Sequence, residues 1–164
     1  MFKSATTLLI STLCAFTISH SFAANVGDAV PSFKANSLDG SKTVDISQLE
    51  GKVVFVDFWA SWCTPCLKSL PEFEKLQTSF ANHDVVVLAI NLDEDPKSAQ
   101  KFIDKLNVTY EILADNTGQI PEAFGVSTMP SSYIIDKDGV IQYVHKGYKS
   151  GDVDKIKSKI QQLL

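Results

Sequence analysis

The fold is decided by the stretch VVFVDFWASWCTPC, residues 53–66. Apart from Asp57, its first half consists of β-branched and aromatic residues, which is typical of a strand buried on both faces of a sheet. After a brief turn, Cys63 opens a segment whose apolar residues recur every three or four positions, at Leu67, Leu70, Phe73, Leu76 and Phe80. That spacing predicts an amphipathic helix. The pair Cys63 and Cys66 therefore lies where a buried strand gives way to a helix.

Strands and helices continue to alternate towards the C-terminus. Residues 85–90 repeat the buried-strand pattern, and an apolar stripe over 99–106 predicts a second helix. This order predicts parallel strands joined by right-handed crossovers. Residues 132–136 and 140–145 then form two short predicted strands around a turn, and a last helix begins near Gly151. The expected fold class is α/β with a mixed sheet. Before residue 51, only a short strand at 43–45 is predicted, in a polar, turn-rich lead-in.

The composition is that of one globular domain with a slight excess of acid. Hydrophobic residues make up 45% of the 164 positions and charged residues 21%, which excludes a disordered or repetitive chain. Fifteen basic residues against nineteen acidic ones give a net charge of -4, and every base is Lys. Because a chain without Arg lacks the planar guanidinium that binds phosphates, nucleic acid is not an expected partner.

Residues 1–23 differ from the rest and are predicted to be a secretory signal peptide. Lys3 gives the segment a positively charged start, and an apolar stretch follows over 8–22. Ser21-Phe22-Ala23 has the small-x-small spacing of a cleavage site. The alternative is an uncleaved membrane anchor, but the stretch is at the lower limit of spanning length. Cleavage would remove Cys14 and leave 24–164 as one domain. The predicted location is the periplasm.

The two remaining cysteines, Cys63 and Cys66, are poorly spaced for a structural role. A bridge across two residues closes too short a loop to restrict the unfolded chain. A structural zinc site would need four Cys or His ligands, and neither His83 nor His145 has ligand spacing or an evident partner. No metal site is therefore expected. Redox chemistry is the better explanation of the pair.

A family resemblance rests on the W-C-x-P-C segment at this strand-to-helix junction. With Pro71 five residues after the pair and Thr128-Met129-Pro130 ahead of a predicted strand, the chain resembles the thioredoxin superfamily. Within the superfamily, the chain resembles the TlpA/ResA-like thiol-disulfide oxidoreductases. This narrower resemblance rests on the export signal, on Leu38-Asp39-Gly40 and on a helical insert over 96–107. The resemblance extends from Val26 to the C-terminus. It implies a thioredoxin-like fold: a central mixed sheet flanked by helices, with an N-terminal β extension.

Three residues are expected to be catalytic. Free backbone N–H groups at a helix start stabilise a thiolate, so Cys63 is the expected nucleophile. Cys66, one turn further on, would resolve the mixed disulfide, and Thr64 and Pro65 between them would tune the thiolate. Asp57 is an ionisable residue in an apolar strand. It is either a carboxylate that reaches the surface or a buried neutral acid that takes a proton from Cys66, and the resemblance favours the second.

The resemblance also implies a substrate-binding surface around the pair. Pro130 would follow a cis peptide bond and lie against the cysteines, which would leave the backbone of Met129 free to pair with an extended substrate segment. Trp62, Thr64 and Pro65 would complete this surface, with Trp62 presenting apolar area to a partner.

The leading hypothesis is a periplasmic enzyme that exchanges the Cys63–Cys66 couple with protein disulfides. The family implies a reductant, with cytochrome c maturation as one setting, a membrane thiol-transfer protein as electron donor and no cofactor besides the cysteine pair. One position departs from the family pattern, because many ResA-like proteins carry an acid where this chain has Ser69.

Two other functions remain open. A peroxiredoxin-like peroxidase is disfavoured, because Ala60 stands where the peroxide-binding site needs Thr. A non-enzymatic peptide-binding module would use the surface beside Pro130 and would not need the cysteines.

Overall fold

A computed structural model of the protein describes residues 23–164. This part of the chain forms seven strands: β1 Lys34–Ser37, β2 Thr43–Asp45, β3 Val53–Trp59, β4 Val85–Asn91, β5 Glu111–Ala114, β6 Ser131–Ile135 and β7 Ile141–Lys146. It also forms four α-helices: α1 Thr64–Ser79, α2 Pro96–Ile103, α3 Gln119–Phe124 and α4 Asp152–Gln161. The predicted signal peptide, residues 1–23, and Cys14 lie outside the described residues apart from Ala23. Among the described helices, none has the length and apolar character needed to cross a bilayer.

The seven strands form one mixed sheet in the order β2-β1-β5-β4-β3-β6-β7. Central β3 pairs parallel with β4 and antiparallel with β6, and β5 pairs parallel with β4. Strands β1 and β2 form an antiparallel hairpin, which extends the sheet beyond β5. The predicted thioredoxin-like α/β class, with its mixed sheet and helices, is confirmed.

All seven residues of β3 are buried, because helices cover both faces of the sheet. Alternate side chains point to opposite faces. Val53, Phe55 and Trp59 join a core cluster with residues of α1 and α4, whereas Val54, Val56 and Phe58 pack on the other face with α3. Asp57 is two residues from both Phe55 and Trp59, so its side chain points to the same face as theirs, the face covered by α1.

Four elements were not predicted from sequence: β1, β5, α3 and a short 3-10 helix over Ile46–Leu49. Strand β5 has four residues and helix α3 six, which is too short for a period of two or 3.6 residues to stand out. Strand β5 is held by pairing with β4 and β1 on either side. The predicted strands 132–136 and 140–145 each shift by one residue in the structure, within the normal uncertainty of strand ends.

Replacing Phe73 tests the contact between α1 and β3. Its ring is 1% exposed and packs edge-to-face on Phe55, with ring centroids 4.9 Å apart. Phe73→Ala is expected to lower the free energy of unfolding by about 3–5 kcal/mol, because it removes a buried ring and leaves a cavity. The measurement is denaturant unfolding of the oxidised protein. Lys75→Ala, at an exposed position of the same helix, is the control and should change stability by about 0.5 kcal/mol or less. A loss of similar size in both variants would contradict the packing described.

Candidate active site

The turn between β3 and α1 is held in place by the end of β4. The backbone N–H and the hydroxyl of Ser61 both donate hydrogen bonds to the Asp93 carboxylate, at 3.0 and 3.1 Å. Asp93 is itself buried and accepts a further hydrogen bond from the Asn91 amide at 2.8 Å. These contacts attach the turn to the sheet, so the residue that starts α1 has a defined position. That residue is Cys63, the N-cap of α1.

Cys63 and Cys66 form a disulfide, with their Cα atoms 5.2 Å apart. The backbone N–H of Cys66 donates to the Cys63 sulfur at 3.3 Å. The same N–H would stabilise a thiolate on Cys63 once the bond is reduced. Cys63 is 6% exposed and Cys66 is fully buried, so an outside group can reach only the Cys63 sulfur. This asymmetry fits a nucleophile at Cys63 and a resolving thiol at Cys66.

Asp57 is fully buried, so of the two alternatives for this residue the structure has the buried one. The Ser132 hydroxyl donates to its Oδ1 at 2.7 Å, and its Oδ2 has no hydrogen-bond partner among the described residues. Burial raises the pKa of Asp57 to about 8, although the hydrogen bond from Ser132 acts in the opposite direction. At pH 7 the carboxyl is therefore mostly protonated while the disulfide is intact.

A groove of about 600 Å³ runs beside Cys63. The described residues that line it carry no charged side chain, and most are apolar, including Trp62, Pro65, Leu92, Pro121, Val126 and Met129. Trp62 is 69% exposed, so a large aromatic surface faces solvent next to the disulfide. Thr64 and Pro65 are exposed at the start of α1. Such a surface suits an apolar polypeptide segment better than a small charged substrate.

The opposite wall of the groove is formed by the loop that ends in Pro130. The peptide bond between Met129 and Pro130 is cis, as the resemblance implied. Pro130 is buried, and its carbonyl accepts a hydrogen bond from the Gly147 N–H at 2.8 Å. Within residues 23–164, the backbone N–H and carbonyl of Met129 have no hydrogen-bond partner. They are free to pair with an extended chain in the groove.

A larger cavity of about 820 Å³ lies between α1 and α4, away from the cysteines. Its lining includes Lys68, Lys75, Lys149 and Lys157 together with two acids, and it contains no nucleophile suited to the disulfide chemistry. Among the described residues, no group of three or more His, Cys, Asp or Glu side chains is arranged to hold a metal ion. The smaller groove beside Cys63 is therefore the candidate active site.

Several contacts of the site were not predicted from sequence. Ser132 and Asp93 carry no local pattern that marks their partners, although two adjacent serines in an apolar strand are an unusual feature. Ser69, at the position of the family's acid, is buried and donates to the Cys66 carbonyl at 3.0 Å. His145 was expected to have no partner. In the structure its Nε2 lies 3.1 Å from an oxygen of Asp152, which the turn before α4 brings beside it.

Comparisons with known proteins agree with this geometry. The Redoxin family matches residues 25–160. The thiol-disulfide oxidoreductase ResA of Bacillus thuringiensis (strain Al Hakam) is 30% identical over 146 residues, which cover 86% of this chain and 84% of the relative.

Solved structures give the same result. One is a protein of Chlorobium tepidum assigned as thiol:disulfide interchange protein DsbE. It superposes with a TM-score of 0.81 at 33% identity, covering 86% of this chain and 99% of its own. The exposed lipoprotein thioredoxin Etrx1 of Streptococcus pneumoniae strain TIGR4 has a TM-score of 0.71 at 30% identity, covering 81% and 100%. The chain belongs to the Redoxin family and, within it, to the TlpA/ResA-like thiol-disulfide oxidoreductases.

Proposed function

We propose that this protein works in the periplasm as a reductant of disulfides in partner proteins. The observation that carries the proposal is the position of Cys63. Its sulfur accepts a hydrogen bond from the Cys66 N–H at the start of α1 and borders an uncharged groove. Such a sulfur is a stabilised thiolate when reduced and can be reached by a polypeptide substrate. On this proposal the two cysteines carry the electrons themselves, without a further cofactor.

The reaction has two exchange steps. The Cys63 thiolate attacks one sulfur of the partner's disulfide, and the other partner sulfur leaves as a thiolate. Cys66 then attacks the Cys63 sulfur, which forms the Cys63–Cys66 bond and releases the second partner sulfur. Two electrons pass from the dithiol to the partner, which gains two thiols, and the enzyme ends in its disulfide form. The burial of Cys66 supports this order, because a buried thiol cannot reach a sulfur of the free partner and can attack only the neighbouring Cys63 sulfur once that sulfur is in the mixed disulfide.

The ionised form of Asp57, which is the minority form at pH 7, is proposed to accept the proton of Cys66 in the second step. The thiol must lose its proton to become a nucleophile, and it is buried away from water. Asp57 lies on the face of the sheet that α1 and Cys66 cover, and its Oδ2 has no hydrogen-bond partner among residues 23–164. Its raised pKa, about 8, is close to that of an ordinary thiol, so a proton can pass between the two groups at little cost.

The substrate is proposed to bind as an extended segment. The free backbone groups of Met129 would pair with it beside Pro130, as an added strand pairs with a sheet edge. Trp62, Thr64 and Pro65 would contact its side chains from the other wall of the groove. An apolar lining predicts apolar residues around the partner's cysteine.

The direction of electron flow is proposed from the family and from the residues between the cysteines. Thr64 and Pro65 add no positive charge near the Cys63 sulfur, whereas a strong oxidant needs extra stabilisation of its thiolate. A membrane thiol-transfer protein would then return the enzyme to its dithiol form, and cytochrome c maturation is the proposed setting. The predicted signal peptide supports export, as does the similarity to an exposed lipoprotein thioredoxin.

Single cysteine variants test the exchange mechanism. Reduced Cys66→Ser is expected to accumulate a mixed disulfide with insulin, visible on gels run without reductant and lost when reductant is added. Cys63→Ser is the matched control, which should trap nothing and have no insulin-reducing turnover. Full activity in both variants would instead support a non-enzymatic binding module. Peroxide consumption that depends on Cys63 would support the peroxidase.

The reduction potential tests the proposed direction. Equilibration of the Cys63–Cys66 couple with glutathione and with dithiothreitol buffers is expected to give a value nearer to thioredoxin, about -270 mV, than to the strong periplasmic oxidant at about -120 mV. The fraction of disulfide can be read from alkylation of free thiols after acid quenching. A value close to that of the oxidant would reverse the direction of electron flow and leave the exchange chemistry in place.

Replacing Asp57 tests its buried, protonated state. Because burial raises its pKa from 3.8 to about 8, the folded protein keeps a proton that the unfolded chain releases between those pH values. The wild-type protein therefore loses stability as the pH rises through this window, by several kcal/mol in all, since one pKa unit equals about 1.4 kcal/mol. Below the window both states are protonated and above it both are ionised, so the Asp57 contribution levels off at each end.

The measurement is denaturant unfolding of the oxidised proteins between pH 4 and pH 8, the window set by these two pKa values. Asp57→Asn should become progressively more stable than wild type as the pH rises. Asp138→Asn, at an exposed turn position, should follow the wild-type curve and serves as control. Parallel curves for Asp57→Asn and wild type would show that Asp57 does not hold a proton in the folded state.

A further inference from the structure

Asp57 has one polar neighbour on the strands beside it. In the register of the sheet it lies opposite Ala89 on β4 and opposite Ser132 on β6. Directly paired residues project to the same face, so both neighbours share the α1 side with Asp57. The methyl group of Ala89 cannot donate a hydrogen bond, whereas the hydroxyl of Ser132 does, at 2.7 Å. Strand pairing therefore places a single donor beside the buried acid.

This hydrogen bond distinguishes the two oxygens of the carboxyl. Both side chains are buried, with Ser132 3% exposed, so solvent does not compete for the contact. Oδ1 is occupied by the hydroxyl, and Oδ2 has no hydrogen-bond partner within the described part of the chain. The carboxyl cannot rotate without breaking its one hydrogen bond, which has a high cost in a buried site. Oδ2 is thus the oxygen left to gain and lose a proton.

Resting on the function proposed above, we propose that Ser132 is a positioning residue. Its hydroxyl holds Oδ1 of Asp57 so that Oδ2 exchanges the proton with the Cys66 thiol in the resolving step. In that step the proton passes from the Cys66 sulfur to Oδ2, and the resulting thiolate attacks the Cys63 sulfur. Ser132 itself exchanges no electrons and does not touch the substrate groove.

The other titratable groups on this side of the sheet do not replace Ser132. They include Cys66 and Glu74 of α1, Tyr110 before β5, Tyr143 and His145 of β7, and Asp152 and Lys155 of α4. The Tyr143 hydroxyl lies 3.5 Å from Nδ1 of His145. The carboxylate of Glu74 is bound by Thr109, and the hydroxyl of Tyr110 donates to the Leu70 carbonyl. Asp152 accepts hydrogen bonds from Lys155 and from the backbone of Lys149, and His145 pairs with it. Among residues 23–164, Ser132 is the one hydrogen-bond donor to Asp57.

Loss of the hydroxyl has a defined sign. A hydrogen bond donated to a carboxylate stabilises the ionised form and lowers its pKa, so its removal raises the pKa of Asp57 further above about 8. Less of the carboxyl is then ionised at pH 7, and proton removal from Cys66 becomes rarer. The resolving step should slow at neutral pH, and its pH midpoint should move upward. The attack by Cys63 does not involve Asp57, so the pH dependence of its rate should stay unchanged.

A two-phase reaction separates these steps. When the reduced protein meets an excess of the aromatic disulfide DTNB, Cys63 attacks first and releases one coloured thiolate. Cys66 then attacks the mixed disulfide and releases the second. Stopped-flow traces from pH 5 to pH 10 give a pH midpoint for each phase. A wild-type protein without the first phase would overturn the proposed function. The Ser132 variants test the positioning role only through the rate and the pH midpoint of the second phase.

Four variants test the role of the hydroxyl. Ser132→Ala and Ser132→Val should slow the second phase about tenfold at pH 7, the size expected when a carboxylate loses one hydrogen bond, and raise its midpoint by about one pH unit. Ser132→Thr, which has the shape of Val but keeps a hydroxyl, should retain the wild-type midpoint. Ser131→Ala is the matched control. It removes a neighbouring buried hydroxyl that donates to the Thr128 carbonyl instead, so its midpoint should also match wild type.

A double variant separates the positioning role from a purely structural one. If Ser132 positions Asp57, Ser132→Ala in an Asp57→Asn background should cause no further change in the second phase, because the carboxyl it positions is gone. A wild-type midpoint in Ser132→Ala, an equal shift in both backgrounds, or identical behaviour of the Thr and Val variants would each overturn the proposal. If Ser132→Ala does not fold, the Thr and Val pair decides the question.

Discussion

The backbone N–H of Cys66 points at the sulfur of Cys63, and the chemistry of the site depends on this contact. It exists because Cys63 ends the turn after β3 and is the N-cap of α1, so that an N–H of the first helical turn faces its sulfur. Asp93 holds that turn through Ser61, and the fully buried β3 supplies the rigid base. A shift of α1 by one residue would place a different side chain at its N-terminus.

The second constraint is a carboxyl in the middle of the core. Burial of Asp57 destabilises the ionised form, and its free oxygen gains nothing structural in return. A well-packed apolar residue at this position would be expected to make a more stable protein. The chain thus carries a cost in stability at neutral pH, which the proposed proton transfer from Cys66 would explain.

In the mechanism proposed above, the group that takes the proton of Cys66 comes from the sheet. The helix position three residues after Cys66, where the family resemblance implied an acid, is occupied by Ser69, which donates a hydrogen bond to the Cys66 carbonyl. The acid instead comes from β3 and its hydrogen-bond donor from β6, two strands that pair directly. The groove, in contrast, is lined mainly by the turn and first residues of α1 and by the loop before Pro130, so the proposed substrate contacts and the proposed proton acceptor lie on different elements.

The sequence by itself determined the elements whose pattern is local and long: β3 and β4 are mostly apolar runs of seven residues, and α1 and α4 carry an apolar stripe with helical spacing. It also located the cysteine pair at a helix start, and Asp57 as an ionisable residue in an apolar strand. Strand β5 and helix α3 were decided only by the tertiary structure, because they are short and held by neighbours distant in the chain. The same is true of the Ser132–Asp57 hydrogen bond, which joins residues 75 positions apart. Strand pairing brings these two side chains together, and no local pattern of either strand encodes the contact.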